Sequence, residues 1–201
     1  VSGGLRLDAY RWRGDGWLMM GGFALISPLV QGTGRLRCLV QGCCHGRPCA
    51  DHLGIRYRQP LSRVCKMTAW GGQPVHPAPL YSILGNILIL GLALRLWFAG
   101  AELGFITGAC LVLTACARFM EEGYRGEPQT VRFGGLAIYQ WLALLFVVGG
   151  AVSMAVPTAV APPLSGALLA PLVYAVPFGL VVWAAMGVDF PESNRRFSRL
   201  A

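Results

Sequence analysis

A chain of 201 residues with 55% hydrophobic side chains, 13% charged ones and a mean hydropathy of +0.54 is too apolar for a soluble domain, in which about a quarter of residues carry charge. It reads as an all-α integral membrane protein forming a single bundle, because each crossing of a hydrocarbon core about 30 Å thick uses about 20 residues. The net charge of +8 comes from 17 Lys and Arg against 9 Asp and Glu; the arginine bias suits phosphate oxygens and lipid headgroups, and the lack of interleaved stacking aromatics argues against nucleic acid.

Residues 1–16 mix glycines with Arg6, Asp8, Arg11, Arg13 and Asp15 and read as an interfacial segment. No signal peptide is visible in a sequence opening on Val1. Residues 17–30 are apolar but short, and either span a membrane by extending through Gly32 into the polar stretch behind it or form a re-entrant or tilted element. Residues 17–47 thus form the first helix with its polar signature, and residues 48–78 a polar arm with turn signals at Arg47-Pro48, Gln59-Pro60 and Gly71-Gly72. A short strand is expected within residues 51–58.

A clean span is predicted over residues 79–98, with proline in its first turn and Arg95, Trp97 and Gly100 near its end. A short loop leads to a second span over 104–120, so the two form an antiparallel hairpin. Arg118, Glu121, Glu122 and Arg125 close it, and Arg118 and Glu122, four apart, share a helix face. Residues 138–156 make a third strong span and residues 164–188 a fourth, kinked by Pro171 and Pro177; residues 189–201 are a solvated tail. The expected architecture is a bundle of about five transmembrane helices, with residues 79–188 as its main body and one polar arm after the first helix.

The stretch from Gly34 to Pro48 places Arg35, Arg37, Arg47, His45, Cys38, Cys43 and Cys44 beside apolar helices. Ionised groups cost about 2.5 to 3.5 kcal/mol each at a helix centre on insertion scales, so they are tolerated where they face a wet cavity or a substrate. Function is the default reading of this stretch, against a reading in which Arg35 and Arg47 only anchor to headgroups. His76 can equally be a turn residue, Tyr81 a belt aromatic, and Gln140 a bridge between helices.

Four blocks in order, Gly34-Arg35 to Arg47-Pro48, His76-Pro77-Ala78-Pro79-Leu80-Tyr81, Arg118-Phe-Met-Glu-Glu122-Gly-Tyr-Arg125 and Gly135-Leu-Ala-Ile-Tyr-Gln140, resemble the bacterial prolipoprotein diacylglyceryl transferases. The resemblance covers about residues 16–150 and implies a multi-pass protein of the bacterial inner membrane with a cavity open sideways to lipid. The implied reaction moves a diacylglyceryl group from phosphatidylglycerol to the lipobox cysteine of a prolipoprotein signal peptide. The partners are then phosphatidylglycerol, the precursor and membrane lipid, and no metal or organic cofactor is required.

Arg35 and Arg118 match the family's phosphate-binding arginines. The resemblance adds Arg47 and Arg125 to the cavity lining, with Gly34, Gly42 and Gly46 letting the backbone close around the headgroup. Gln41, Tyr81 and Gln140 join the substrate-binding set, and Glu122 orients Arg118 or Arg35. The thiol must lose a proton to become a nucleophile. The family's histidine before Gly-Gly-Leu has only Ser2-Gly3-Gly4-Leu5 as a counterpart, which leaves His45 and His76 as proton acceptors. The signature interior reads Gly-Cys-Cys-His-Gly, which marks a divergent branch, and the member is expected to be N-terminally short.

Two other functions compete. A non-catalytic phospholipid-binding relative keeps the arginines without turnover. A metal-binding or thiol-redox membrane protein instead uses Cys38, Cys43, Cys44, His45, Cys49, His52, Cys65 and His76, although only Cys49-x-x-His52 has a paired-ligand spacing. Cys110 and Cys116 lie in an apolar run and read as small core residues.

Overall fold

The computed structural model of the chain describes residues 2–60, 62–126, 131–162 and 177. The first helix, α1, runs unbroken from Ser2 to Gln41. Its 40 residues extend about 60 Å at 1.5 Å per residue, about twice the thickness of a hydrocarbon core. The apolar stretch therefore does continue through Gly32 into the signature, and no helix break separates residues 2–16 from those that follow. Pro28 sits inside α1 and lacks the N–H that would bond to Ala24, four residues back; the Ser27 hydroxyl donates to that carbonyl instead, at 3.5 Å.

The polar arm follows. Strand β1 (Ile55–Arg56) pairs antiparallel with β2 (Pro74–Val75), and between them lies the five-residue helix α2 (Arg63–Met67), whose N-cap Ser62 accepts from the Cys65 N–H. Tyr57, Val64 and Val75 form a small core of their own. This module clamps the end of α1, because the Tyr57 hydroxyl donates to the Leu39 carbonyl at 2.7 Å and satisfies one of the carbonyls a helix end leaves unpaired. Gly42 caps the helix with φ +65°, and a Cβ there would meet the Tyr57 ring at 3.1 Å.

Helices α3 (Ala78–Phe98) and α4 (Leu103–Tyr124) form the expected hairpin; the tight hairpin of β3 (Arg132–Phe133) and β4 (Leu136–Ala137) then feeds α5 (Ile138–Ala155). These three helices are long and apolar enough to cross a membrane. Among the described residues the structure thus holds five helices, of which three are candidate spans, rather than about five spanning helices. The expected span over residues 164–188, apart from Pro177, and the tail over 189–201 lie outside the described residues.

Helix α4 is the hub, packing against α1, α3 and α5, while α1 also packs on α3. Gly108 of α4 and Gly150 of α5 face each other so closely that a Cβ on Gly150 would lie 2.8 Å from the Gly108 carbonyl oxygen. Small residues let membrane helices gain dispersion contacts through such close approach. Ala24, Ile89, Ala93, Trp97, Leu103 and Ile106 fill the main core, and Leu88, Phe98, Leu145 and Val148 point outward as a lipid-facing surface would.

Candidate functional site

The crossing of α1 and α4 brings together side chains separated by more than 80 positions in the sequence. Gln31 and Arg35, four apart on α1, face Arg118, Glu121 and Glu122 of α4 and Arg125, which follows its last residue. Arg35 pairs with Glu121 at 3.1 Å; both are well buried, with 11% and 5% of their side chains exposed. Arg118 donates through one nitrogen to Glu121 at 3.0 Å and through another to the Gln31 side-chain oxygen at 3.2 Å. Arg125 donates to Glu122 at 3.0 Å.

These guanidinium groups edge a cavity of about 610 Å³ between α1, α4 and α5, within the range typical of small-molecule sites. Arg35, Arg118 and Arg125 supply its positive charge, while Phe23, Leu142 and Phe146 give it an apolar wall. An anionic group with an apolar body matches that combination, since guanidinium forks bind phosphate oxygens and Phe23, Leu142 and Phe146 offer dispersion contacts.

A second cavity, of about 460 Å³, is lined by Leu53, His76, Tyr81, Ser82, Glu121 and Tyr124. His76 Nδ1 lies 3.1 Å from the Tyr81 hydroxyl, and its ring is 5.2 Å from that of Tyr124. Glu121 belongs to both places, because it borders this cavity and pairs with two arginines of the first.

The far end of the signature is held by backbone. Gly46 N–H donates to the His76 carbonyl and Arg47 N–H to that of Tyr124, each at 2.9 Å, while His76 N–H returns a bond to Arg47. A Cβ on Gly46 would lie 2.8 Å from the His76 oxygen and 2.9 Å from the Tyr124 oxygen, so only glycine fits this crossing of three chain segments.

Several expected placements differ. Glu122 orients neither Arg118 nor Arg35; it holds Arg125, and Glu121 holds the other two, because Glu121 lies three residues from Arg118 and points at α1. Arg47 does not line the cavity: it is exposed and its Nε donates to the Arg125 carbonyl at 3.3 Å. Gly34 is exposed on α1 with nothing within 4 Å of a Cβ built there, so it closes around nothing in the chain. His45 is buried away from both cavities, its ring edge-on to Trp70 at 5.7 Å and its Nδ1 3.2 Å from the Gly46 carbonyl.

Gln140 accepts from the Ala137 N–H at 3.0 Å and donates to the Phe119 carbonyl at 3.5 Å, joining the start of α5 to α4 outside the cavity lining. Gln41 is the last residue of α1. Tyr81 lies on the second cavity rather than the first. Sequence reasoning missed Gln31, Glu121 and Tyr139, which edge or brace the first cavity. The spacing of four between Gln31 and Arg35 was the available signal for the first of these.

The cysteines separate into groups. Cys38, Cys43 and Cys44 bring their sulfurs within 4.8 Å of one another. Cys65 donates instead to the Tyr57 carbonyl at 3.3 Å, and Cys110 is buried in the main core. Hydrogen bonds to Cys38 and Cys44, followed by burial, push the Cys43 thiol up from its ordinary value. Burial raises the Tyr57 phenol to about 12, so it stays a neutral donor to the helix end.

The profile of the prolipoprotein diacylglyceryl transferase family matches residues 7–156 of the chain. A protein of Clostridium perfringens named phosphatidylglycerol–prolipoprotein diacylglyceryl transferase 2 is 30% identical over 124 residues, covering 61% of this chain and 45% of that protein. A phosphatidylglycerol–prolipoprotein diacylglyceryl transferase of Clostridium tetani is 25% identical over 125 residues, 61% of this chain and 46% of its own length. The match thus spans somewhat less than half of each curated relative. No solved structure matches the chain.

Proposed function

The chain belongs to the prolipoprotein diacylglyceryl transferase family, and from that membership we propose that it transfers a diacylglyceryl group from phosphatidylglycerol to the lipobox cysteine thiol of a prolipoprotein at the bacterial inner membrane. One observation carries the reading: Arg35, Arg118 and Arg125 converge on one cavity whose remaining wall is largely apolar. The phosphate of the donor lipid meets the guanidinium groups, and its glycerol and the start of its acyl chains lie along Phe23, Leu142 and Phe146.

The chemistry asked of the site is displacement at a glycerol carbon. The acceptor sulfur forms a bond to that carbon, the carbon–oxygen bond to the phosphate breaks, and glycerol phosphate leaves. Negative charge grows on the leaving phosphate, so donors already aimed at it stabilise the transition state without reorganising. Arg35 and Arg118 do this in the proposal, both paired with the single carboxylate of Glu121, while Arg125 is set by Glu122. The thiol proton goes to His76, which with Tyr81 and Tyr124 lines the neighbouring cavity; His45 is a structural residue packed on Trp70. Gly42 and Gly46 shape the backbone around the site, and Gln140 braces α4 against α5.

The experiment is release of headgroup-labelled glycerol phosphate from phosphatidylglycerol vesicles by the purified protein. Release that needs a lipobox peptide with its cysteine, and stops when serine replaces that cysteine, supports the reading. Bound lipid with no release under any condition supports the non-catalytic lipid-binding relative instead.

A further inference from the structure

The transferase reading makes no use of Cys38, Cys43 and Cys44, yet these are the described side chains that most closely resemble a built coordination site. Helix α1 ends at Gln41, and two residues in left-handed backbone, Gly42 at φ +65° and Cys44 at φ +56°, turn the chain back on itself. The reversal sets Cys43 and Cys44 over Cys38 in the last turn of the helix, with all three sulfurs within 4.8 Å of one another. Left-handed backbone is uncommon for any residue but glycine, and where a side chain is held in it at a cluster of reactive groups, strain and function tend to coincide.

None of the three is in a disulfide, and each is only partly buried, so an ion can reach them from solvent. A metal–thiolate bond of about 2.3 Å in tetrahedral geometry places sulfurs about 3.8 Å apart. Closure by about 1 Å or less therefore turns this cluster into three ligands of one ion. The Arg35 guanidinium interacts with the Cys38 sulfur, supplying positive charge beside a group of thiolates that exceeds the charge of a divalent ion.

We propose that Cys38, Cys43 and Cys44 bind one thiophilic d¹⁰ metal ion, Zn(II) or Cu(I), as three thiolate ligands that leave a further coordination position open. Soft sulfur donors select such ions, and three protein ligands with an open position is the pattern of a zinc site that takes an outside ligand. Each ligand thiol releases its proton to solvent as its bond to the metal forms, with no change in oxidation state. The site lies outside both cavities, three residues along α1 from Arg35, so a bound ion would fix the end of the helix that carries that arginine. The cluster is local in sequence and excludes Cys49 and His52, the pair with the more familiar ligand spacing.

The test uses the full chain purified in detergent under a non-thiol reductant, so that all thiols are reduced. Zinc content after dialysis, a sulfur-to-cobalt charge-transfer band on Co(II) titration, and Cu(I) competition against a chromophoric chelator are measured on the wild type and on Cys43→Ser, Cys44→Ser and Cys49→Ser. The expected result is about one equivalent of Zn(II) or Cu(I) in the wild type and in Cys49→Ser, with affinity reduced at least tenfold in Cys43→Ser and Cys44→Ser. Which of the two metals binds more tightly identifies the ion. Each variant is accepted only if its helical circular dichroism matches the wild type; if both cluster variants fail that check, cadmium-induced shifts at the three labelled cysteines of the wild type decide. Absence of binding by every metal in fully reduced protein overturns the proposal, and so does equal loss in Cys49→Ser.

Discussion

Glu121 is the acid on which the arginine site depends, and replacing it with glutamine has a consequence that can be worked out from the structure. Its carboxylate is 5% exposed and joins Arg35 at 3.1 Å to Arg118 at 3.0 Å. Removing one member of a buried ion pair costs about 3 to 5 kcal/mol because the other charge is left uncompensated. The Arg118 arm, with 35% of that arginine exposed, is partly screened and adds about 1 kcal/mol at most. Glutamine keeps the shape and one acceptor oxygen, so the net loss for Glu121→Gln is set at about 2 to 4 kcal/mol. For a chain of this length each kcal/mol lowers the melting temperature by about 2 to 4 °C. The expected drop is therefore about 4 to 16 °C, read by thermal unfolding in detergent. Release of glycerol phosphate should fall at least tenfold at the same time, because two guanidinium groups lose the carboxylate that positions both of them. Added anionic lipid should restore part of the stability, since phosphate replaces the missing charge. A variant that melts with the wild type and turns over at the wild-type rate would refute the assignment of Glu121 as the positioning acid.

Four other outcomes follow from the geometry. Gly46→Ala should prevent the crossing of the signature with the His76 and Tyr124 segments and lower the yield of folded protein severely, seen as aggregation in size-exclusion chromatography; a normally folded Gly46→Ala would contradict the contact distances. His76→Gln should reduce turnover by about 10²- to 10⁴-fold, the usual range for losing a general base, with lipid binding retained, while His45→Gln should change stability more than the pH profile of the rate. Arg118→Lys should lose much of the activity despite keeping the charge, because one ammonium cannot serve both Glu121 and Gln31 in the same geometry; equal kcat values would argue against a fork at this position. Glu102 accepts from the backbone N–H groups of Thr158 and Ala159, which hold its carboxyl below the ordinary value near 4.5. The folded state favours the carboxylate, so this clip contributes above pH about 4.5 and is lost as pH falls through the depressed value. Amide exchange at Thr158 and Ala159 should therefore accelerate, relative to its intrinsic rate, in acid and not at neutral pH, and Glu102→Gln should abolish that dependence.

The spans of α3, α4 and α5 were legible in the sequence to within a few residues because runs of apolar side chains of bilayer length leave few alternatives. The N-terminal extent of α1 was not, since the charged and glycine-rich residues 2–16 read as an interfacial segment; in the signature the helix continues where Arg35 and Gln31 find partners on α4. The arginines were likewise visible as unusual residues for a membrane chain. Which carboxylate serves which arginine was hidden, because Glu121 and Glu122 are adjacent and only the rotation of α4 against α1 separates their directions. Arg47 and His45 show the same limit from the other side: their place in the signature suggested the cavity, and the backbone ladder to His76 and Tyr124 carries them away from it. The spacing of Cys38, Cys43 and Cys44 is not that of a paired-ligand motif, yet a helix end with two left-handed residues brings together sulfurs that a linear motif would not pair.

The most direct measurement is the mass of a lipobox peptide after incubation with the purified protein and phosphatidylglycerol, run in parallel with Arg35→Ala. With the wild type the peptide should gain the mass of one diacylglyceryl group on the cysteine sulfur, and Arg35→Ala should abolish that gain. A peptide of unchanged mass, from protein shown to be folded and to hold phosphatidylglycerol, would contradict the transferase and leave the arginine cavity as a site that binds lipid without acting on it.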